Sequence, residues 1–265
     1  MKPGLIINGA AGRMGKRILA FAHEEAAFSI VSALEHPKHP DLGKDAGALA
    51  GIEALNVSLT STVPDIADVM IDFSLPEAAN ATIRHCAENN IALVLGTTGL
   101  SKEQFDMLAQ SARKIAIVQA TNMSLGMNLL FALVGKVARS LGREYDIEIV
   151  EAHHRFKKDA PSGSALSLAE AICKETGRTY PDSLEHGRHG KEALRKPGEI
   201  GMHAVRAGDI VGQHTVLYST LGETITIAHN AHTRDTFARG ALRAATWVIQ
   251  QKPGLYSMQD VLGLA

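Results

Sequence analysis

The stretch GLIINGAAGRMGKRILAFAHEE, from Gly4 to Glu25, decides how the rest of the chain is read. GLIING is a short apolar run bounded by glycines, the pattern of a strand covered on both faces, and RMGKRILAFAHEE has the pattern of a helix. Gly9, Gly12 and Gly15 stand at their junction in a G-x-x-G-x-x-G spacing. The first permits a tight turn, the second lets the backbone approach a pyrophosphate, and the third lets the helix pack close to the sheet. The helix N-terminus then turns its unpaired N–H groups toward the phosphates. The spacing differs from the usual G-x-G-x-x-G, so the assignment draws its force from the strand on one side and the helix on the other.

Outward from this stretch the same alternation continues. FSIVSALE, DVMIDFS, IALVLGTTG and IAIVQATN read as strands, with AANATIRHCAENN and KEQFDMLAQSARK as helices between them. Such alternation predicts an α/β fold, a Rossmann-like doubly wound parallel sheet. After Asn122 the texture changes to a long apolar helix, MSLGMNLLFALVGKVARSLG, a half-wet strand, DIEIVEAHH, and a helix from about Ser162 to Glu175. The Val-, Thr- and Ile-rich run from Gly198 to Thr233 predicts several antiparallel strands, and GRTYPDSLEHGRHGKEALRKPGE before it a surface loop. TFARGALRAATWVIQQ returns to helix, with Trp247 expected to pack on the first domain. The expected division is a dinucleotide-binding domain over 1–123 and 234–265, and an α+β substrate and oligomerisation domain with a mixed or antiparallel sheet over 124–233.

Composition excludes several classes of function. With 27 Lys and Arg against 28 Asp and Glu, the net charge of -1 supplies no field to draw the chain onto nucleic acid or an anionic membrane. Cys86 and Cys173 sit far apart in helix-like segments, which suits buried reduced thiols in a cytoplasmic protein. No signal peptide or membrane span is read in the sequence. The H-x-x-H pairs His186/His189 and His229/His232 come without H-E-x-x-H or a cysteine cluster, so no metal is expected.

Two candidate sites emerge. In the first, Glu35 lies 26 residues after Gly9 at the end of the second strand, where a carboxylate accepts hydrogen bonds from both ribose hydroxyls of adenosine. That favours NADH, while His36, Lys38 and His39 keep NADPH open. Gly96, Thr97 and Thr98, and then Ala120 to Ser124, sit at further strand ends, where small polar groups reach a nicotinamide ring or its ribose. In the second, EAHHRFKKDAPSGSA runs from Glu151 to Ala165. Ser162, Gly163 and Ser164 open a helix whose dipole and N–H groups suit a carboxylate or phosphate, Lys157 adds a full positive charge, and a histidine there can donate a proton. Arg155 and Lys158 read as a solvated loop.

The pairing of GAAGRMG with EAHHRFKKDAPSGSA, together with IDFSLPEA, GTTGL, VRAGDIVGQHTV and TFARGALRAA, resembles the bacterial dihydrodipicolinate reductases over essentially the whole chain. The resemblance implies reduction of 4-hydroxy-tetrahydrodipicolinate to tetrahydrodipicolinate with NADH or NADPH, in the diaminopimelate route to lysine, by a cytoplasmic homotetramer. It implies His153 as general acid, Lys157 as both catalytic and substrate-binding, and His154, Ser162, Gly163 and Ser164 as the seat of the dicarboxylate. It implies nucleotide contacts from Gly9, Ala10, Ala11, Gly12, Arg13, Met14 and Gly15, from Glu35 and His36, from Gly96, Thr97 and Thr98, and from Ala120, Thr121, Asn122 and Met123. Two departures stand out: Ser164 replaces a frequent Thr, and His36 an Arg common in members that use NADPH well. Two rivals stay open on the residues alone. One is a reductase of an amino-acid semialdehyde, which has no need of the double histidine motif; the other is a nucleotide-sensing protein without catalysis.

Overall fold

The computed structural model describes residues 1–264. The chain divides into two compact units, Met1–Leu125 with Asp235–Ala265, and Gly126–Arg234.

The first unit is built on seven strands: β1 (Gly4–Asn8), β2 (Ser29–Leu34), β3 (Leu59–Thr60), β4 (Val69–Asp72), β5 (Ala92–Leu95), β6 (Ala116–Gln119) and β12 (Gly254–Tyr256). They lie in the order β12-β6-β5-β4-β1-β2-β3, and every pairing is parallel. The order reverses beside β1, so its carboxyl end opens into the crevice where doubly wound sheets bind ligands.

The period of two along each strand separates two cores. Leu5 and Ile7 join Ile71, Val94 and Val118 on the face covered by α1 (Arg13–Glu25) and α7 (Asp235–Val248). Ile6 joins Met70, Leu93, Leu95 and Ile117 on the face covered by α3 (Pro76–Glu88) and α4 (Lys102–Ser111). Leu5, Ile6 and Ile7 are all fully buried, which explains an apolar run without alternation; each such side chain contributes about 1.5–3 kcal/mol of burial.

The second unit places β7 (Asp146–His153) at the centre of a sheet ordered β11-β10-β7-β9-β8. α5 (Leu125–Leu141) and α6 (Gly163–Thr176) cover one face, burying Val134 and Ala138 of α5 and Leu168 and Ile172 of α6 against Ile147, Ile149, Val216 and Tyr218. The opposite face carries Val150 and Leu217, half-buried beside Thr215 and Ala228.

The sheet is mixed. β10 (Gly212–Thr220) and β11 (Glu223–Ala231) form the expected antiparallel pair, but β9 (Ile200–Arg206) runs parallel to β7. β7 occupies the place between β9 and β10, so the chain passes from one flank of β7 to the other through 207–211 and forms no hairpin there. The expected loop before β9 contains a short strand, β8 (Leu184–His186), paired with β9. The short α2 (Ala46–Ala50), β3, β12 and α8 (Met258–Val261) were not expected either. Elements of two to five residues carry no periodicity of their own and form where a neighbour supplies their partners.

Small residues let α7 lie close to the sheet. A β-carbon on Gly240 would fall inside the contact distance of the Met123 carbonyl oxygen, and backbone yields less readily than a flexible side chain. We expect Gly240→Ala to destabilise the fold by about 1–3 kcal/mol, read as a lowered Tm; an unchanged Tm would show that α7 has room to shift.

Candidate active site

In the first unit the glycine loop is held by backbone. The N–H groups of Gly9 and Ala10 both donate to the Leu34 carbonyl, at 3.0 and 2.9 Å, which ties the loop to the end of β2. Gly9 has φ of 77°, and a β-carbon there would press on the Phe73 carbonyl. A β-carbon on Gly15 would meet the backbone of Gly9 and Ala10, so the helix sits directly against the loop. Gly12, exposed beside Arg13, is the N-cap of α1 and offers no side chain to the first-turn N–H groups. Met14 is half-buried behind it. This cradle would be filled by any side chain and leaves helix N–H groups for phosphate oxygens, so the residues fit a dinucleotide.

Glu35 follows β2, and its carboxylate accepts from Ala11 N–H at 3.1 Å and from His36 N–H at 3.0 Å. The His36 Nδ1 accepts from Lys38 N–H at 3.2 Å, so the neutral ring carries its proton on Nε2. A cavity of about 520 Å³ opens beside them, lined by Glu35, His36, Ser74, Arg84 and His85.

Beneath the loops lies a residue that the sequence motifs do not single out. Asp72, fully buried at the end of β4, accepts from Ser74 N–H at 2.7 Å, from Thr97 Oγ1 at 3.0 Å and from Asn8 Nδ2 at 3.2 Å. Thr97 is buried and its hydroxyl is committed to Asp72, whereas Thr98 is exposed beyond it and Gly96 is buried before it. Ala120 N–H donates to the Leu95 carbonyl, joining the last loop to the end of β5. Thr121 is exposed, the Asn122 amide oxygen accepts from Ser124 N–H at 2.9 Å, and Met123 is buried in the core. Apart from Met123, which is turned into the core, the expected nucleotide residues of this unit stand at or just after the carboxyl ends of β1, β2, β5 and β6.

In the second unit His153 ends β7 with its ring over Glu151, Nδ1 lying 2.6 Å from Oε2. Glu151 is 1% exposed, yet burial, which pushes a carboxyl up, is outweighed by hydrogen bonds from Arg206, His153 and Ser162 N–H, and its pKa lies below the usual range. Glu151 is therefore an ionised acceptor. Arg206 forks onto both its oxygens, at 2.9 and 2.7 Å, and Ser162 N–H donates at 3.0 Å. Burial first, and then the charges of Lys157 and Arg206, lower the pKa of His153 against the opposing pull of Glu151. His214 meets the His153 ring edge to face, with centroids 5.2 Å apart. Its pKa falls to about 4, through burial first and the neighbouring His153 second, so it is neutral at pH 7.

Ser162 is the N-cap of α6: its hydroxyl accepts from Ala165 N–H at 3.2 Å and lies 3.1 Å from His214 Nε2. Both of its polar groups are thus used inside the protein, because a cap must satisfy the first turn. Gly163 opens the helix with nothing within 4 Å of the place where a β-carbon would stand, and Ser164 follows it. Lys157, partly buried, pairs with Asp159 at 2.9 Å, and its N–H donates to the His154 carbonyl at 3.1 Å. His154 lies between these groups in sequence, its ring tilted over exposed Phe156.

Glu151 had a signal in the sequence, a carboxylate two residues before His153 on the apolar face of DIEIVEAHH. Arg206 and His214 stand within VRAGDIVGQHTV, a stretch that carries the resemblance but by itself gives neither residue a role. Register brings them in, since His214 pairs with Glu151 across one edge of β7 and Arg206 with His153 across the other.

With this geometry, comparison with known proteins is decisive. Residues 4–123 match the model of the dihydrodipicolinate reductase N-terminus, and residues 126–262 that of the C-terminus. The chain belongs to the dihydrodipicolinate reductase family. It is 46% identical over 263 residues to the 4-hydroxy-tetrahydrodipicolinate reductase of Citrifermentans bemidjiense, covering 98% of each chain. It is 47% identical over 261 residues to that of Methylococcus capsulatus, covering 97% of each. The solved structure of a dipicolinate-bound dihydrodipicolinate reductase from Paenisporosarcina sp. TG-14 matches 98% of this chain and 99% of its own, with a TM-score of 0.77 at 23% identity, and shows the same fold.

Family membership does not say how tightly His153 is held, and Gly212 does. A β-carbon on Gly212 would stand 3.2 Å from His153 Nε2, closer than is comfortable. Gly212→Ala is expected to crowd that nitrogen, displace the ring and lower turnover about tenfold while nucleotide affinity stays unchanged. Steady-state kinetics with nucleotide titration would check this, and full turnover would mean that the ring has room to move.

Proposed function

We propose that His153 donates the proton, and that the opening of α6 with His154 and Lys157 seats the substrate, in the reaction of this family. As a member the protein is an oxidoreductase that reduces 4-hydroxy-tetrahydrodipicolinate to tetrahydrodipicolinate in the diaminopimelate route to lysine. The observation that carries the residue assignment is the partly exposed His153 on a buried, ionised Glu151, joined through Ser162 N–H to a helix N-terminus.

The chemistry requires a hydride and a proton to add across a conjugated bond of the ring while water leaves with the 4-hydroxyl. A nicotinamide nucleotide supplies the hydride when bound. What the chain supplies is charge and position. The substrate is a dianion; Lys157, His154 and the N–H groups of Gly163 and Ser164 would answer its carboxylates, Lys157 exchanging Asp159 for substrate, and Ser162 shaping the turn as its cap. In the unliganded protein burial keeps His153 largely neutral at pH 7, and a bound dianion would favour the charged ring. The proton is thereby recruited when the substrate that needs it arrives.

In the first unit the cradle from Gly9 to Gly15 would hold the pyrophosphate, with Arg13 beside it. Glu35 would take the adenosine ribose, and the cavity beside His36 and Arg84 the adenine. The loops at Gly96–Thr98 and Ala120–Met123 would border the nicotinamide. An acid at Glu35 disfavours a 2′-phosphate, and the imidazole of His36 lacks the forked donor geometry with which an arginine would answer it. The exposed apolar side chains Val205 and Ile225 on the second sheet support assembly of a homotetramer through this unit. Among the described residues no helix is long and apolar enough to cross a membrane; a cytoplasmic setting agrees with the small soluble substrate.

The first test generates the substrate from pyruvate and aspartate semialdehyde with the preceding synthase and follows oxidation of NADH and NADPH separately. His153→Gln should lower turnover by about 10²–10⁴-fold with nucleotide affinity unchanged, and turnover at the wild-type level would remove His153 from the proton transfer. In the same assay wild type should use NADH at least as well as NADPH. His36→Arg should shift the kcat/KM ratio toward NADPH by giving the 2′-phosphate a permanent forked partner; a ratio that does not move would place the discrimination elsewhere.

A further inference from the structure

The carboxylate beneath His153 is saturated. Glu151 Oε1 accepts from Ser162 N–H at 3.0 Å and Arg206 Nη2 at 2.7 Å, and Oε2 accepts from Arg206 Nη1 at 2.9 Å and faces His153 Nδ1 at 2.6 Å. An ionised carboxylate only accepts, so at 2.6 Å the imidazole has to donate. Arg206 is itself held: Nη1 donates to the Val205 carbonyl and Nη2 to the Asp159 carbonyl, both at 2.7 Å. One guanidinium thus joins the end of β9 to the loop that carries Lys157 and to the base of His153.

We propose that Glu151 is the positioning residue of the proton donor: it fixes the proton of neutral His153 on Nδ1, which leaves Nε2 as the nitrogen that takes up a proton and passes it to substrate. This deepens the assignment of His153 made above and rests on it for its catalytic meaning. The tautomer itself follows from an ionised carboxylate 2.6 Å from Nδ1, whatever the reaction.

Arg206 completes the device. A lone buried carboxylate would bind the imidazolium proton tightly and slow its release. A forked Arg leaves the Glu151–Arg206 pair with no net charge, so the carboxylate orients the ring without trapping its proton. The other groups facing the ring act in the same sense. Lys157 from the loop opposes its charge, and His214 from β10, neutral at pH 7, packs on it as an edge.

Glu151→Gln tests this with little change of shape. The amide would best place its NH2 at the Oε2 position, where it opposes one Arg206 donor and donates to His153 Nδ1. At the Oε1 position it would oppose both Arg206 and Ser162 N–H. The imidazole nitrogens of the full-length, unliganded protein are to be followed by NMR through a pH titration, in wild type and variant, beside the pH dependence of kcat/KM. We expect neutral His153 to be the Nδ1–H tautomer in wild type and the Nε2–H tautomer in Glu151→Gln. The variant's titration midpoint should fall, and the alkaline limb of kcat/KM should move to lower pH, with about tenfold or greater loss at pH 8.

A variant in which tautomer and midpoint match wild type would overturn the proposal, whatever the rate, since an equal loss at every pH is a structural effect. A tautomer switch with an unmoved pH–rate profile would uphold the positioning of the ring and remove His153 as the donor. If the variant does not fold, wild type alone decides, because an Nε2–H tautomer there contradicts a donating Nδ1.

Discussion

A carboxylate buried to 1% exposure, Glu151, organises the second unit. Placing a charge there is costly unless every lone pair is answered, and four donors from three directions answer it: two from Arg206 on β9, one from the N-cap of α6, and one from His153 on β7 itself. The penalty for separating them makes the arrangement rigid. Strand, neighbouring strand and helix N-terminus therefore meet at one registered point, and the residues expected to hold the substrate stand around it. Taking away one partner of such a buried pair typically costs about 3–5 kcal/mol, whereas an apolar replacement of the whole set is often neutral. Its presence thus speaks for position rather than for stability.

The first unit repeats the device. Asp72 closes β4 without exposure and gathers Asn8 from β1, Ser74 N–H and the Thr97 hydroxyl. Asn8 immediately precedes the glycine loop and Thr97 sits within the GTTG loop, so one carboxylate sets two of the strand-end loops against each other. Each unit thus has a flexible-looking run of small residues whose backbone is disciplined from below by a buried acid. In both, a loop of small residues lacks bulky side chains to pack, and hydrogen bonds to a buried acidic side chain take their place.

The two buried acids also separate the side chains of the motifs into those that face outward and those that face inward. Ser162 and Thr97 look like ligands in the sequence because they are hydroxyls in small-residue loops. Folded, the first caps α6 against His214 and the second holds Asp72. Gly163, Lys157 and His153 remain on the outer side of the same framework. Hydroxyls that satisfy the interior and groups left facing outward share one run of small residues, and spacing alone does not tell the two apart.

Much was legible in the chain itself. The unbroken run Leu5–Ile7 and the glycines after it carry the parallel sheet and the cradle, because burial on both faces and close backbone approach each leave a local mark. The double histidine beside Pro-Ser-Gly-Ser likewise marks the end of a strand and the start of α6, which Ser162 caps, since helix capping depends on neighbours in sequence. What only the tertiary structure decided is the mixed order of the second sheet and the company that His153 keeps. Arg206 lies 55 residues from Glu151, and His214 lies 52 from Ser162. Strand register joins them, and register is a property of paired chains, absent from either strand read alone.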